Sequence, residues 1–388
     1  MNAKIKYYPT GNGDMSLITL EDNTTILVDC NIREGSKGDK DKTMYDVKED
    51  LLNSIQKRNS NPYVDVFVLT HGDEDHCRGF ENNFYQGDPK KYGEKNRKDG
   101  EIIIDELWFS PMIAEESSND DEDIVQTEAE RRLKLHKDKD PNRNEPGNRI
   151  YIIGYDGANK DYKDLDHLRQ TPGTVVTNIN NKEQNKFSIF IHAPFKVQIE
   201  DANNKNTPSI VFQARFKNHA VDTEYICLAM FGGDSDHESW EVILEKTERK
   251  KNHQTQKALD WDLFLAPHHC SWSFFNETPQ DEHPDPKENS LKVLDYKRKN
   301  AIVIASSKEI IDDDDNPPHY EAKEEYIKKV GKDKFLNTDT DDVNDKTPQP
   351  IEFIITAKGP SRPPKTTNSN SIGSAGGTGA ASTVIKHG

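Results

Sequence analysis

Short apolar runs, each bounded by turn-forming residues, recur along the early part of the chain and predict β-strands. Residues 45–58 instead carry apolar side chains at helical spacing, which predicts a helix between two of these strands. Strand, helix and strand in this order are typical of an α/β fold. The predicted strands of this part cover residues 3–8, 16–20, 25–29, 64–70 and 102–109.

The later part of the chain mixes strand and helix patterns in the same way. Helices are predicted at residues 238–251 and 320–330, where apolar positions recur at helical spacing. The predicted strands of this part cover residues 187–193, 209–216, 225–231, 263–266, 301–306 and 351–356.

Two segments depart from this pattern. Residues 115–147 are dominated by charged residues and asparagine, with one helical pattern at 124–135, and predict a charged surface insertion. From residue 358 onward Gly, Ser, Thr, Ala and Pro dominate, and such a composition buries too little apolar surface to order itself. The sequence therefore predicts one large domain over residues 1–357 and a flexible tail over residues 358–388.

The segment THGDEDH, at residues 70–76, directly continues an apolar strand. It brings His71, Asp73, Asp75 and His76 close together at the carboxyl end of that strand, where α/β proteins commonly place their chemistry. Imidazole nitrogens and carboxylate oxygens are ligands of divalent ions, and four of them can serve one ion or bridge two. A solvated acidic turn with incidental histidines is the alternative interpretation.

Two later strand ends carry residues of the same types. The sequence FGGDSDH presents Asp234 after two glycines that allow close backbone approach, although an ordinary tight turn has the same pattern. The sequence APHHCS presents His268 and His269, one of which can bind metal while the other faces a leaving group. A structural histidine pair is the alternative. The occurrence of three such strand ends in one chain favours a metal site.

Composition narrows the class of protein. The 388 residues include 52 basic and 69 acidic side chains, and the net charge of −17 disfavours nucleic acid unless cations are locally concentrated. The N-terminus has no apolar signal region, and no run of about 18 apolar residues could span a membrane. The four cysteines are too few for a disulfide framework, which fits a reducing compartment. We therefore expect a soluble, cytoplasmic protein without a membrane partner.

The order of these motifs resembles the metallo-β-lactamase fold, in particular the hydrolase domain of the DNA-uptake protein ComEC and its stand-alone relatives. The similarity covers residues 5–356 and implies an αββα sandwich, with metal ions at one edge of its two sheets. The residues that carry it are Asp29, His71, Asp73, Asp75, His76, Asp234, His268 and His269. Residues 11–14, 206–211 and 318–319 are also similar to the family.

Three positions depart from the pattern of that family. Asp73 stands where the broad superfamily has a second histidine, and the added oxygen ligand makes Mn²⁺ or Mg²⁺ better competitors with Zn²⁺, which remains the default ion. A histidine usually found before the Asp234 strand is absent; His192 and His219 are the nearest candidates, and packed or solvated roles are favoured for both. Cys270 replaces a glycine and could reshape the pocket.

The resemblance implies a binuclear hydrolase in which a shared water molecule is the nucleophile. Six residues would hold two divalent ions, with His71 and Asp73 on one, Asp75, His76 and His269 on the other, and Asp234 bridging them.

Four residues would have catalytic roles in such a hydrolase. Asp75 would also steer the nucleophile, and Asp29 would orient a ligating histidine through its other ring nitrogen. His268 or His319 would protonate the leaving oxygen.

Three functions are compatible with such a site. The resemblance implies a phosphodiesterase acting as a nuclease, and Trp272, Phe274 and Phe275 would either stack bases or belong to the core. The acidic net charge favours instead a smaller phosphodiester, such as a cyclic nucleotide or a phosphorylcholine ester. The third function is a non-catalytic, metal-binding scaffold. A regulatory protein partner would bind through the charged insertion or the tail.

Overall fold

A computed structural model describes most of the chain: residues 2–34, 44–114, 119–156, 162–196, 208–249, 257–279, 282, 284–344 and 346–363. Its strands, in chain order, are β1 (Lys4–Tyr7), β2 (Ser16–Thr19), β3 (Thr25–Val28), β4 (Gln56–Arg58), β5 (Asn61–Val68), β6 (Ile103–Phe109), β7 (Arg149–Ile153), β8 (Arg169–Gln170), β9 (Val175–Val176), β10 (Asn178–Ile179), β11 (Lys182–Glu183), β12 (Phe187–Ala193), β13 (Val211–Phe216), β14 (Cys227–Phe231), β15 (Trp261–Leu265), β16 (Lys297–Ala305), β17 (Phe335–Asn337), β18 (Val343–Asn344), β19 (Thr347–Pro348), β20 (Ile351–Thr356) and β21 (Gly359–Ser361).

Most of these strands belong to two large sheets. The first has the order β21-β20-β1-β2-β3-β5-β6-β7-β8, with β4 paired to β5, and the second has the order β17-β16-β15-β14-β13-β12-β9. Both are mixed: β3, β5, β6, β7 and β8 pair in parallel in the first sheet, and β14, β15, β16 and β17 do so in the second. The remaining pairs are antiparallel.

Helices fill the connections between these strands. The α-helices among the described residues are Val47–Ser54, Glu74–Cys77, Phe80–Asn83, Glu94–Asp99, Asp120–Lys137, His237–Arg249, Pro267–Cys270, Glu288–Asp295 and Tyr320–Val330. Short 3₁₀ turns occupy Pro89–Lys91, Pro111–Ala114, Lys163–Leu168, Trp272–Phe274 and Lys332–Lys334. No helix of the described segments has the length and apolar character needed to cross a membrane.

The three large clusters of buried apolar side chains among the described residues lie in successive layers. One cluster lies between the sheets, where Val66 and Val68 of β5 meet the inner face of the second sheet. The alternate residues of β5, Val64 and Phe67, join a second cluster with the helices on the outer face of the first sheet. A third cluster covers the outer face of the second sheet. Because β5 is buried on both faces, its sequence is nearly continuously apolar. Mixed sheets covered by helices confirm the predicted α/β class.

The helix Asp120–Lys137 differs from the predicted surface insertion. Its apolar residues Val125, Ala129 and Leu133 are buried in the cluster on the first sheet. Glu128 is also buried, and its carboxylate accepts hydrogen bonds of 2.7 Å from Arg131 and Arg132. The helix is therefore a packed part of the outer layer, and its many charges lie on the opposite face or in internal ion pairs.

The carboxyl end of the chain shows a second difference from the predicted boundaries. Gly359–Ser361 pairs antiparallel with Ile351–Thr356, so ordered structure continues past residue 357. The rest of the predicted tail, residues 364–388, lies outside the described residues.

The parallel strands direct their carboxyl ends to one edge of the sandwich. In the first sheet Val28 is in register with Val68, and in the second Met230 is in register with Phe264. The segments that leave these strands therefore meet at this edge. They include every metal-binding residue that the sequence predicts.

Candidate metal centre

The loop after β5 contributes the largest group of candidate residues. His71 lies three residues after the end of β5, and the short helix Glu74–Cys77 turns His76 back so that the two imidazole centroids are 4.0 Å apart. Gly72 allows a close approach of the helix Asp120–Lys137, since a Cβ there would lie 1.7 Å from a Glu122 carboxylate oxygen. The amide of Asn119 donates to the Gly72 carbonyl at 2.9 Å and holds this loop.

Two turns of unusual backbone conformation present the residues of the second sheet. Gly233 adopts a positive φ of 50°, and a Cβ at this position would crowd the Thr70 hydroxyl at 3.0 Å. His268, His269 and Cys270 have φ values of 50°, 53° and 70°, a left-handed conformation that is costly for residues with a Cβ. Such strain at successive positions is typical of functional turns.

Backbone hydrogen bonds maintain the left-handed turn. The amide of His268 donates to the Gly233 carbonyl at 3.1 Å, and the amide of His319 donates to the Cys270 carbonyl at 3.0 Å. The histidine pair is therefore tied directly to the strand end that carries Asp234.

Asp234 lies at the centre of the candidate site and is 2% exposed. Its Oδ1 lies 3.0 Å from Nε2 of His76 and 3.6 Å from Nε2 of His269. Its Oδ2 lies 3.5 Å from Nε2 of His71 and 3.6 Å from Nε2 of His268. Each carboxylate oxygen thus faces its own pair of imidazole nitrogens, one contributed by each sheet.

Two further carboxylates complete these groups. Oδ2 of Asp75 lies 3.2 Å from Nε2 of His269, and Oδ2 of Asp73 lies 3.7 Å from Nε2 of His71. The Asp75 and Asp73 side chains are 30% and 34% exposed, so they form the solvent side of the cluster. The structure brings together all six residues that the sequence predicts as metal ligands, and His268 with them.

Asp29 contacts His76, one of the histidines that the sequence predicts as metal ligands. Its Oδ2 lies 2.8 Å from Nδ1 of His76, on the side of the ring opposite the Asp234 contact. The backbone and hydroxyl of Thr70 both donate to Asp29 at 2.7 Å, which fixes this carboxylate. Asp29 is therefore placed to orient His76 through its other ring nitrogen.

Asp14 is a site residue that the sequence reasoning did not assign. Its Oδ1 lies 3.4 Å from Nδ1 of His269, whose other contact on that side is the Ser306 carbonyl at 3.1 Å. Asp14 lies two residues before β2, an antiparallel strand whose beginning lies at the same edge as the ends of its parallel neighbours. The motif GNGD is a local signal for it, but its partner lies in the other sheet.

The electrostatics of the cluster are dominated by close opposite charges. Burial alone would lower the pKa of His76 and His269, but Asp234 and its neighbouring carboxylates raise the pKa of His76 well above its usual value and that of His269 to about 10. Burial would raise the pKa of Asp234, yet the surrounding histidines hold it well below its usual range. The cluster therefore binds positive charge strongly, whether as protons or as metal ions.

Several buried polar atoms of the cluster make no hydrogen bond of acceptable geometry with the described residues. They are Asp14 Oδ1, His71 Nε2 and Asp234 Oδ1. The sets Asp14, His76, His269 and His71, His76, Asp234 each have ligand atoms within 4.8 Å of one another and are buried. Buried polar atoms are rarely left without partners, and nitrogen and oxygen donors at this spacing fit a divalent ion. These groups could hold a metal ion.

Other predicted candidates lie apart from this cluster. Nδ1 of His319 faces Glu321 at 3.1 Å, and its ring lies 6.1 Å from that of Trp272, so these side-chain contacts involve none of the candidate metal ligands. His192 is buried against the Phe190 ring at 4.7 Å, and His219 is exposed. These placements match the packed role favoured for His192 and the solvated role favoured for His219.

The aromatic residues after the histidine pair belong to the core. Trp272, Phe274 and Phe275 are at most 3% exposed and pack in the cluster on the outer face of the second sheet. Of the two roles left open for them, base stacking is thereby excluded in this conformation.

The chain was also compared with known proteins. No protein-family model matches it, and a search of curated proteins finds no match.

Proposed function

We propose that the chain is a metal-dependent phosphodiesterase that binds two divalent ions, with Zn²⁺ as the default pair and Mn²⁺ or Mg²⁺ as competitors. This proposal depends on one observation: the two carboxylate oxygens of Asp234 face separate pairs of histidines. A carboxylate that bridges two ions in a hydrolase requires this arrangement.

The residues divide naturally into two ligand groups. Asp234 Oδ1, His76, His269 and Asp75 would hold one ion, and Asp234 Oδ2, His71, His268 and Asp73 the other. A bound pair of ions supplies an activated water molecule and polarises the phosphoryl oxygen. The partly exposed carboxylates Asp73 and Asp75 lie on the solvent side of the cluster, where a substrate would enter.

His268 joins one of these ligand groups in the proposal, which leaves the role of proton donor to another group. His319 is the remaining candidate from the sequence, and its backbone amide contacts the histidine turn at Cys270. Asp29 would keep His76 in the tautomer that presents Nε2 to the ion, because it accepts from Nδ1.

A metallo-β-lactamase type of fold is part of the proposal. Two mixed sheets packed face to face, helices on both outer faces and candidate ligands at one sheet edge support it.

A small phosphodiester is favoured over a polynucleotide as the substrate. The aromatic side chains of Trp272, Phe274 and Phe275 are buried and therefore unavailable to stack bases. The net charge of −17 opposes a long phosphate backbone as well. A cyclic nucleotide or a phosphorylcholine ester avoids both difficulties.

The test combines metal analysis with a substrate panel. Purified full-length protein is analysed for bound metals and assayed with bis-p-nitrophenyl phosphate, p-nitrophenyl phosphorylcholine, a cyclic nucleotide and single-stranded DNA, each with added Zn²⁺ or Mn²⁺. We expect about two ions per chain and metal-dependent turnover of the small esters.

Each other outcome separates the candidates. Preferential cleavage of DNA would replace the small-ester proposal by the nuclease. Two bound ions without turnover of any phosphodiester would favour the metal-binding scaffold. Absence of bound metal together with absence of turnover would reject the proposal altogether.

A further inference from the structure

The two pairs of histidines around Asp234 differ in the groups that contact Nδ1, the ring nitrogen that faces away from Asp234. His76 and His269, which face Oδ1, each have a carboxylate at the opposite ring nitrogen, Asp29 at 2.8 Å and Asp14 at 3.4 Å. Their Nε2 atoms lie 3.3 Å apart and converge on one point.

The other pair is supported by hydroxyl groups. Nδ1 of His71 lies 3.1 Å from the Thr70 hydroxyl, and Nδ1 of His268 lies 3.0 Å from the Ser273 hydroxyl. The Thr70 hydroxyl already donates its proton to Asp29, so it accepts from the His71 ring. A neutral hydroxyl stabilises developing positive charge on an imidazole less than a carboxylate does.

The two pairs also differ in burial. The side chains of His76 and His269 are completely buried, whereas that of His268 is 23% exposed. Both histidines of the first pair are therefore shielded from solvent, whereas His268 gives the second pair access to water; the carboxylates Asp75 and Asp73 are about equally exposed in the two groups.

We propose that the two metal positions are unequal by construction: the position at His76 and His269 is filled first and tightly, and the position at His71 and His268 is weak and exchangeable. Asp14 is the positioning residue of the tight position. The inference rests on the proposed binuclear site, and it adds the order of loading and the residues that set it.

The contacts of His269 explain how Asp14 acts. Nδ1 of His269 faces the Ser306 carbonyl and Asp14 together, so the ring proton resides on Nδ1 and the lone pair of Nε2 points to Asp234 and Asp75. The Asp14 carboxylate adds negative charge behind the ring and makes Nε2 a stronger donor. Its own backbone is anchored, because its amide donates to the Asp75 carbonyl at 3.2 Å.

The test measures metal binding rather than turnover. Full-length protein freed of metal with a chelator is titrated with Zn²⁺, and separately with Mn²⁺, in competition with a chromophoric chelator. Wild-type protein is compared with Asp14→Asn, which keeps the shape of the side chain, and with the matched variant Ser273→Ala, which removes the support of the other pair.

We expect two classes of ion in the wild type. Asp14→Asn should weaken the tight class by about 10- to 100-fold, the usual effect of removing an outer partner of a ligating histidine. Ser273→Ala should weaken the second class and leave the first unchanged. Thermal unfolding of the metal-free proteins shows whether a variant has simply lost its fold, a change that would affect both classes together.

Other results would overturn the inference. Two equal classes in the wild type, or a loss of the weak class alone in Asp14→Asn, would show that the support behind the rings does not set the order. Equal classes together with phosphodiester turnover would leave the proposed function standing, and ordered binding without turnover would reject only that function. A loss of both classes in a folded Asp14→Asn protein would make Asp14 essential to the whole site rather than to one position.

Discussion

Two sets of buried carboxylates, one within the first sheet and one at the candidate metal edge of the two sheets, have opposite surroundings. Asp65 and Asp105 lie within β5 and β6 and are completely buried, and Asp14 and Asp234 lie at the candidate metal edge and are 2% exposed. All four would be expensive to bury without partners. The first set is fully hydrogen-bonded, whereas in the second set Asp14 and Asp234 each keep one oxygen without a hydrogen bond to the described residues.

The internal set is fully hydrogen-bonded. Asp65 accepts from the Thr25 backbone at 2.9 Å and from the amide of Asn180 at 2.7 Å. Asp105 accepts from both terminal nitrogens of Arg58, at 3.2 and 2.6 Å, and from Asn180 at 3.0 Å. Each acceptor atom has a donor, as is usual for buried polar groups.

The edge set keeps oxygens without a hydrogen bond of acceptable geometry to the described residues, on both Asp14 and Asp234. Their neighbours are imidazole nitrogens, which bind metal as readily as they bind protons. The comparison teaches that burial of an acid does not by itself mark a functional site. Incomplete hydrogen bonding beside histidines is what distinguishes the candidate metal centre, and the following changes test that distinction.

Asp75→Ala should have the largest effect, on activity alone. Its carboxylate is 30% exposed, and the buried His269 that it contacts keeps its contacts with the Ser306 carbonyl and Asp14 when that carboxylate is removed. We expect turnover of bis-p-nitrophenyl phosphate to fall by more than about 100-fold, beyond the effect typical of an outer partner. Thermal unfolding of the metal-free variant should match the wild type. Wild-type rates from this variant would remove Asp75 from the mechanism.

Asp65→Ala should have the converse effect, on stability alone. It removes four hydrogen bonds, donated by Thr25, Asn180 and Lys182, and leaves the buried Thr25 amide without its acceptor. We expect a loss of about 3 to 4 kcal/mol in the free energy of unfolding, measured by urea denaturation. Metal content should not change. A variant that unfolds normally but binds less metal would show that the two regions are coupled.

Glu106→Gln sharpens the comparison through pH. Burial raises the pKa of Glu106 to about 7 from an ordinary 4.5, against the hydrogen bond from Trp108. The folded protein thus holds a proton that the unfolded chain releases between these values, so this group makes stability fall as pH rises through that window. At pH 8 the accumulated cost is about 3 kcal/mol.

The glutamine variant should remove that cost, because its amide oxygen can still accept from Trp108. We expect the variant to be more stable than the wild type at pH 8 and to differ little from it at pH 4. Urea denaturation at the two pH values measures both. Equal differences at the two values would show that Glu106 does not titrate in this window.

Truncation after residue 363 should have the smallest effect. The described candidate residues all lie between Asp14 and His319, and the last described strand, Gly359–Ser361, is retained. We expect metal content and turnover to match the full-length protein. A collapse of turnover would assign the removed segment to the site.

The fold class and most of the candidate site could be predicted because their signals are local. Apolar runs bounded by turn residues mark the strands, and the ligand-type residues follow these runs directly, as in His71 after β5 and His268 after β15. The helical pattern at 124–135 was predicted as well, but the burial of Val125, Ala129 and Leu133 was not, because the many charges of this segment indicate a solvated surface.

Contacts between the two sheets could not be predicted in the same way. The sequence alone identified the six residues His71, Asp73, Asp75, His76, Asp234 and His269, and also indicated that Asp29 supports a histidine. Only the tertiary structure decided that His76 pairs with His269, that His71 pairs with His268, that Asp14 lies behind His269, and that the aromatic residues after the histidine turn are buried. The physical reason is that strand patterns depend on neighbouring residues, whereas these contacts join segments far apart in the chain through the packing of two sheets.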